Sequence, residues 1–107
     1  MEFYKKNGRR FLYPAVQTIT KNIAEEIYKY GLSNGSSLII DMNGVENCVN
    51  LFFEIFRLVD ITLINTSSKI LSTIYMTGYD KYIKIFEDIV SLEDNRRELL
   101  NRRFCVV

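Results

Sequence analysis

The chain has 107 residues, of which 48% are apolar and 25% are charged. This length fits one compact domain, residues 1–107, and is too short for two. With 14 basic and 13 acidic residues the formal net charge is +1, so no global field draws the protein to nucleic acid or anionic lipid, although a local patch stays open. The absence of histidine removes the commonest general base and metal ligand, which disfavours catalysis and metal binding. We expect no enzyme activity, no cofactor, no metal and no nucleic-acid partner.

Two cysteines and the N-terminal segment bear on the cellular compartment. Cys48 and Cys105 match neither a zinc-site spacing nor a CxxC redox pair, so we expect both to be reduced. Residues 1–11 lack the apolar core of a signal peptide, and no apolar run approaches the roughly 18 residues of a membrane helix. The sequence therefore predicts a cytoplasmic protein without membrane insertion.

The first two segments, residues 2–6 and 9–16, are predicted to form a β-hairpin. They flank Asn7-Gly8, and both central positions of a type I′ turn need a positive φ, which these residue types tolerate. Pro14 cannot donate a ladder hydrogen bond, so the second arm should end near it or face an edge.

A first helix is predicted over residues 21–30, with Thr20 as its cap and Gly31 as its C-terminal stop. Its apolar side chains Ile23, Ile27 and Tyr30 recur at helical spacing.

Two short apolar runs, residues 38–40 and 61–65, predict central strands of a parallel sheet. Between them, residues 49–59 contain eight apolar positions among eleven, more than a core-facing stripe uses in a helix. Either this helix is unusually buried or one side meets a partner. Burial is slightly favoured because a short connection between parallel strands leaves little room for exposure.

The C-terminal third is predicted to hold two helices and a strand. Ser67 is placed to cap a third helix that ends at Gly78, and residues 82–86 alternate as a half-buried strand. Ser91 opens a last helix that runs to about Phe104. The side chains expected to face the core are Ile70, Leu71, Ile74 and Tyr75 in the third helix and Leu92, Leu99 and Leu100 in the last.

The order of these elements predicts an α/β fold. Strands that alternate with helices after a hairpin indicate a mainly parallel sheet of four to five strands, covered by about four helices.

Asp41 is the first candidate for chemistry because it ends a central strand, the edge at which α/β folds place ligand crevices. It has the right type for a base or a metal ligand. With no histidine and no second acid at metal spacing, we favour a carboxylate that orders the loop through the backbone N–H groups of Asn43 and Gly44. Asn43-Gly44 itself is a turn first and a phosphate cradle second.

Cys48 and a cluster of arginines are weaker candidates. Cys48 lies just before the apolar helix, whose N-terminus would lower a thiol pKa, but no partner base is identifiable and a structural thiol is favoured. The last predicted helix carries a basic cluster that suits RNA or an acidic protein face, although a solvated helix face is favoured. Its members are Arg96, Arg97, Arg102 and Arg103.

Two blocks of the sequence resemble the STAS domain, the fold of bacterial anti-sigma-factor antagonists. Residues 62–86, TLINTSSKILSTIYMTGYDKYIKIF, resemble the family's strand, Ser-Pro turn, helix and closing Leu-Thr-Gly-Leu-x-Lys segment. Residues 38–46, LIIDMNGVE, resemble the strand and turn that precede the family's switch. The resemblance implies a STAS fold with four helices and a binding function rather than catalysis.

The chain departs from the family at the switch itself. Partner-switching STAS domains carry Asp-Ser-Ser-Gly at the start of the second helix, where an anti-sigma-factor kinase phosphorylates a serine. The corresponding places here hold Val49, Asn50, Leu51 and Phe52, and residues 44–60 contain no Ser, Thr or Tyr. The phosphoacceptor role therefore does not carry over. Ser67, Ser68 and Ser72 are the alternative phosphorylation sites.

The first hypothesis is a STAS-type module that binds a protein partner, such as an anti-sigma-factor kinase, without phosphorylation at the usual place. The predicted contact residues are Asn43, Asn47, Asn50, Phe52, Phe53 and Phe56. On this hypothesis Phe53→Asp abolishes partner binding and preserves the fold, whereas an unfolded variant would mark Phe53 as a core residue.

Two other hypotheses stay open. The resemblance also extends to the soluble STAS subunits of ABC lipid-transport systems, which bind the ATPase, and a homodimer is compatible with either assembly. A small enzyme is the third, and it requires a crevice near Asp41 with a bound cofactor or a perturbed carboxylate.

Overall fold

The structure is a computed structural model that describes residues 1–33 and 37–93. These residues form a five-stranded sheet, a separate two-stranded ladder and four α-helices. The strands are β1 (Glu2–Lys6), β2 (Arg9–Tyr13), β3 (Thr18–Ile19), β4 (Ser37–Asp41), β5 (Asn47–Cys48), β6 (Asp60–Ile64) and β7 (Ile83–Ile85). The helices are α1 (Lys21–Ser33), α2 (Asn50–Glu54), α3 (Ser68–Thr77) and α4 (Ile89–Glu93), with short 3₁₀ turns at Ile55–Arg57 and Tyr79–Lys81.

The main sheet has the strand order β1-β2-β4-β6-β7. Strands β1 and β2 are antiparallel, and every other neighbouring pair in this sheet is parallel. The predicted α/β class, the mainly parallel five-stranded sheet, the four helices and the N-terminal hairpin are confirmed.

The hairpin forms as its turn residues predict. Asn7 and Gly8 have φ of 54° and 81°, the positive values that a type I′ turn needs. The second arm ends at Tyr13, shorter than predicted, because Pro14 has no N–H to continue the ladder. The chain then passes through Ala15, at φ 58°, into β3, a strand that was not predicted.

Helix α1 begins where it was predicted and ends later. Thr20 Oγ1 accepts a hydrogen bond from the backbone N of Ile23 at 3.4 Å, and the helix continues to Ser33. Gly31 therefore lies inside the helix, so the prediction that it ends the helix was wrong. A β-carbon at Gly31 would overlap the side chain of Val59. The glycine is required for the close approach of α1 to the chain that leads into β6.

Helix α3 has both predicted caps. Ser67 Oγ accepts from the backbone N of Ile70 at 3.3 Å, and Gly78 takes the left-handed conformation at φ 81°. Ile70 and Ile74 are buried as predicted, but Tyr75 is 47% exposed, so its placement on the inner side was wrong.

Helix α4 starts earlier than predicted. Asp88 Oδ1 accepts from the backbone N of Ser91 at 2.9 Å, so Asp88 caps the helix and Ser91 lies within it. The predicted continuation to Phe104, with Leu99 and Leu100, lies outside the described residues.

The sheet separates two apolar clusters. Side chains alternate along β6, so Ile61 and Leu63 face the cluster under α1, α2 and α3, whereas Ile64 joins the cluster under α4. The smaller cluster consists of Phe11, Ile64, Phe86 and Leu92.

The close approach of Gly31 to Val59 predicts that replacing this helical glycine by alanine destabilises the protein, the reverse of the usual effect. At an exposed helix position Gly→Ala stabilises by up to about 1 kcal/mol. Here we expect Gly31→Ala to lower the free energy of unfolding by about 1–2 kcal/mol, because the stiff valine has little freedom to move aside. Urea unfolding of Gly31→Ala, Val59→Ala and the double variant measures the effect. Strict additivity of the two changes would show that the residues do not press on each other.

Candidate functional site

The carboxylate of Asp41 joins three segments at the carboxyl end of the sheet. Its Oδ1 accepts from the backbone N of Asn43 at 3.0 Å and from Asn65 Nδ2 at 2.9 Å. Its Oδ2 accepts from the Tyr4 hydroxyl at 2.7 Å. Asp41 is only 9% exposed. Both oxygens therefore hold neighbouring chain in place, which supports the interpretation that Asp41 orders its loop.

The predicted contact with the N–H of Asn43 is present, the one predicted with the N–H of Gly44 is not among the hydrogen bonds of Asp41, and the contacts of Tyr4 and Asn65 were not predicted. Burial and the hydrogen bond to Asp41 raise the pKa of Tyr4 well above its ordinary 10.0, so the phenol remains a donor at neutral pH. Asn65 has φ 56°, a conformation that asparagine tolerates better than most residues. An asparagine directly after a strand was the one available signal. Nothing local marks Tyr4, which lies 37 positions from Asp41.

The loop after β4 is fixed by a small parallel ladder. Gly44, at φ 85°, completes the turn that begins at Asn43, and β5 then pairs with β3. The carbonyl of Gln17 accepts from the backbone N of Glu46 at 2.8 Å and of Asn47 at 3.2 Å. The Gln17 amide also donates to the Glu46 carboxylate at 2.6 Å. The loop is therefore held at both of its ends.

Three of the predicted contact residues lie on the surface of this loop and of the helix after it. Asn43, Asn47 and Asn50 are all exposed, and we call them the asparagine surface. Asn47 Oδ1 accepts from Lys69 Nζ at 2.6 Å, which links the surface to the first turn of α3. The side-chain amides of the asparagine surface therefore project from a loop and helix whose backbone is held by hydrogen bonds.

The three predicted phenylalanine contacts are in the core instead. Phe52, Phe53 and Phe56 are 0%, 2% and 3% exposed, so their assignment as partner contacts was wrong, and the buried interpretation of this helix is correct. The ring centroids of Phe52 and Phe56 are 5.0 Å apart, and those of Phe53 and Phe56 are 5.7 Å apart.

The burial of these rings follows from how α2 is enclosed. The helix is only five residues long and continues as a 3₁₀ turn, so its side chains spread around the axis rather than along one stripe. Helix α1 packs against it on one side. On another side the Tyr79 ring stacks on Phe53 with centroids 5.7 Å apart, and the Tyr79 hydroxyl donates to Glu54. The three phenylalanines therefore all lie against neighbouring elements, whereas Leu58, just after the 3₁₀ turn, is exposed.

Cys48 is half-buried beside a cleft of about 100 Å³. The cleft is lined by Glu46, Asn47, Cys48, Phe53, Lys69, Ile70 and Thr73. Burial raises the pKa of the Cys48 thiol to about 12, so the thiol is protonated at neutral pH. This outweighs the lowering expected from a helix N-terminus and supports a structural thiol rather than a nucleophile.

The candidate phosphorylation sites differ in their surroundings. The Ser67 hydroxyl is half-buried and accepts the capping bond, whereas Ser68 and Ser72 are exposed on α3. The arginine cluster from Arg96 to Arg103 and Cys105 lie outside the described residues. Within residues 1–33 and 37–93, no group of three or more His, Cys, Asp or Glu side chains is arranged to hold a metal ion. Over the same ranges, no helix is long and apolar enough to cross a membrane.

Comparison with known proteins supports the fold. The chain matches no protein-family model and no curated protein. It is similar to the NMR structure of the protein TM1081, with a TM-score of 0.68 over 90% of this chain and 88% of that one. The sequence identity is 16%, so the likeness establishes a shared fold and nothing further.

The burial of Phe53 predicts that a charge at this position unfolds the protein. A carboxylate in a site that is 2% exposed loses its water without gaining a partner, and we expect Phe53→Asp to cost about 4 kcal/mol or more. Circular dichroism with urea unfolding measures the loss. Leu58→Asp is the matched control because Leu58 lies on the same connection and is 64% exposed. A native Phe53→Asp variant would contradict the assignment of Phe53 to the core.

The pKa of Cys48 predicts slow reaction with thiol reagents. A rise from 9.0 to about 12 lowers the thiolate fraction at pH 8 by roughly 1000-fold. In a Cys105→Ser background, the rate should keep rising with pH beyond 9 and become fast in urea. Because the folded pKa is raised, this group stabilises the fold fully below pH 9, and the contribution is lost as the pH rises toward 12. A rate that levels off near pH 9 in the folded protein would contradict the buried thiol.

Proposed function

We propose that this protein is a non-catalytic protein-binding module of the STAS type, similar to the anti-sigma-factor antagonists. In this proposal the partner contacts the asparagine surface, Asn43, Asn47 and Asn50. The observation that carries the proposal is that these three amides are exposed on the loop and helix that follow Asp41. Both carboxylate oxygens of Asp41 accept hydrogen bonds from other groups of the domain.

The surroundings of the asparagine surface favour recognition over chemistry. The nearby thiol of Cys48 is protonated, which disfavours it as a nucleophile. The Asn47 amide is held by Lys69 at 2.6 Å, so less side-chain entropy is lost when a partner binds. Amides both donate and accept hydrogen bonds, so this surface suits a partner that presents polar side chains or backbone groups.

The proposed binding is not switched by a phosphate at the family's usual position. The corresponding residues lack a hydroxyl, and Phe52 among them is buried. Of the serines on α3, Ser68 directly precedes Lys69 and is exposed, so a phosphate there would bring negative charge near that lysine. Its charge of about −1.5 to −2 would compete with Asn47 for the lysine.

Arginine substitutions test the asparagine surface. We expect Asn47→Arg and Asn50→Arg each to reduce recovery of the native partner in affinity purification by about tenfold, because a bulky charge prevents close contact. Leu32→Arg is the control, since Leu32 is 49% exposed near the end of α1 and the variant adds the same charge. Equal recovery with all three variants would contradict the proposed surface.

The identity of the recovered protein distinguishes the two assemblies that the family resemblance implies. An anti-sigma-factor kinase supports the antagonist-like role. An ABC-transporter ATPase supports the role of a soluble STAS subunit in lipid transport. Turnover of a small molecule by the purified chain alone would overturn both.

A further inference from the structure

The tip of the N-terminal hairpin concentrates positive charge. Lys5, Lys6, Arg9 and Arg10 are all exposed, and the six-residue stretch that contains them has no acidic residue. The strand register places Lys5 opposite Arg10 and Lys6 opposite Arg9. We call these four residues the basic tip. Like charges that face each other across a ladder destabilise it, so the hairpin carries two unfavourable pairs.

Protection of a sheet edge accounts for only half of this charge. Lysines on an edge strand discourage pairing with another chain, which suits Lys5 and Lys6 because β1 is an edge strand. Arg9 and Arg10 belong to β2, which has β1 on one side and β4 on the other. Like-charge pairs that lower stability, and that no contact inside the domain explains, are expected at a binding site.

A cleft lies beside one of the cations. Its volume is about 260 Å³, and it is lined by Phe3, Arg10, Ser37, Leu38 and Ile39. The guanidinium carbon of Arg10 is 3.9 Å from the centroid of the Phe3 ring, a cation–π contact. Stacking restrains the guanidinium, whose in-plane N–H groups match the two oxygens of a carboxylate. The cleft thus combines a cation with an apolar floor.

We propose that the basic tip and this cleft bind an acidic segment of a protein partner. Carboxylates contact Lys5 and Arg10, which lie on the same face of the hairpin as Phe3, and an apolar side chain of the same segment enters the cleft beside Arg10. Lys6 and Arg9 lie on the opposite face and add to the positive charge around the tip. A phosphate backbone has no such side chain to offer. The chain's net charge of +1 also gives no broad positive field for a nucleic acid or an anionic membrane.

This surface is separate from the asparagine surface. The register of Leu12 with Ile40 places Arg9 level with Ser37, at the amino end of β4. The asparagine surface lies beyond Asp41, at the carboxyl end of the same strand. The inference therefore does not depend on the proposed function, and variants at one surface leave the other in place.

A synthetic peptide of four Glu-Glu-Leu repeats tests the proposal by fluorescence anisotropy on the full chain. We expect binding that weakens by about tenfold with Arg10→Gln and by less than about twofold with Lys84→Gln, an exposed cation on β7. A peptide of Gln-Gln-Leu repeats should bind about tenfold more weakly, and so should a peptide of glutamate alone, which lacks the apolar anchor.

The double variant Lys5→Glu/Lys6→Glu separates binding from folding. It converts both like-charge pairs into opposite-charge pairs, so we expect a higher melting temperature together with a loss of peptide binding of at least about tenfold. The proposal is overturned if Arg10→Gln binds like the unaltered protein, or if the glutamine peptide binds as well as the acidic one. It is also overturned if a DNA duplex of random sequence, or vesicles that contain phosphatidylserine, bind more tightly than the acidic peptide.

Discussion

The hydrogen bonds of Asp41 are the constraint on which the carboxyl end of the sheet depends. They tie β1 through Tyr4, the loop after β4 through Asn43, and the loop after β6 through Asn65. A carboxylate that is 9% exposed needs such donors, because an ionised group without them pays a large desolvation cost. The same bonds that make this acid tolerable in the fold also hold three segments together at this edge of the sheet.

A surface for recognition follows from that constraint. The backbone of the loop after β4 is fixed by Asp41 at its start and by the β3–β5 ladder at its end, and the side chain of Asn47 is held by Lys69. The three phenylalanines of the α2 segment, which follows this loop, are buried, and Phe53 lines a cleft together with Glu46 and Asn47. Rigidity and polarity at this edge are the physical basis for the proposed binding role.

The parts of the structure that local chemistry determines could be predicted from the sequence. Asn7-Gly8 specified the hairpin, and Ser67 and Gly78 specified the ends of α3, because each needs only its own residue type and immediate neighbours. The place of Gly31 inside α1 could not be predicted, and the burial of the segment that contains Phe53 could only be slightly favoured, since each depends on a side chain that is 25 or more positions away.

The same limit applies to the site. The Asn43 contact of Asp41 is local and was foreseen, whereas the Tyr4 and Asn65 contacts span 37 and 24 positions and were not. The start of α4 was predicted too late because Asp88 and Ser91 both have side chains that suit a helix cap, and the structure uses Asp88.

The short length of α2 also has a consequence for the order of folding events. A five-residue segment does not form a stable helix alone, because the free-energy cost of nucleation exceeds the stabilisation that its few hydrogen bonds provide. Helix α2 therefore depends for its stability on packing against α1 and the neighbouring elements. In a folding transition state the aromatic segment should be among the last parts to become native, so defects there should mainly speed unfolding rather than slow folding.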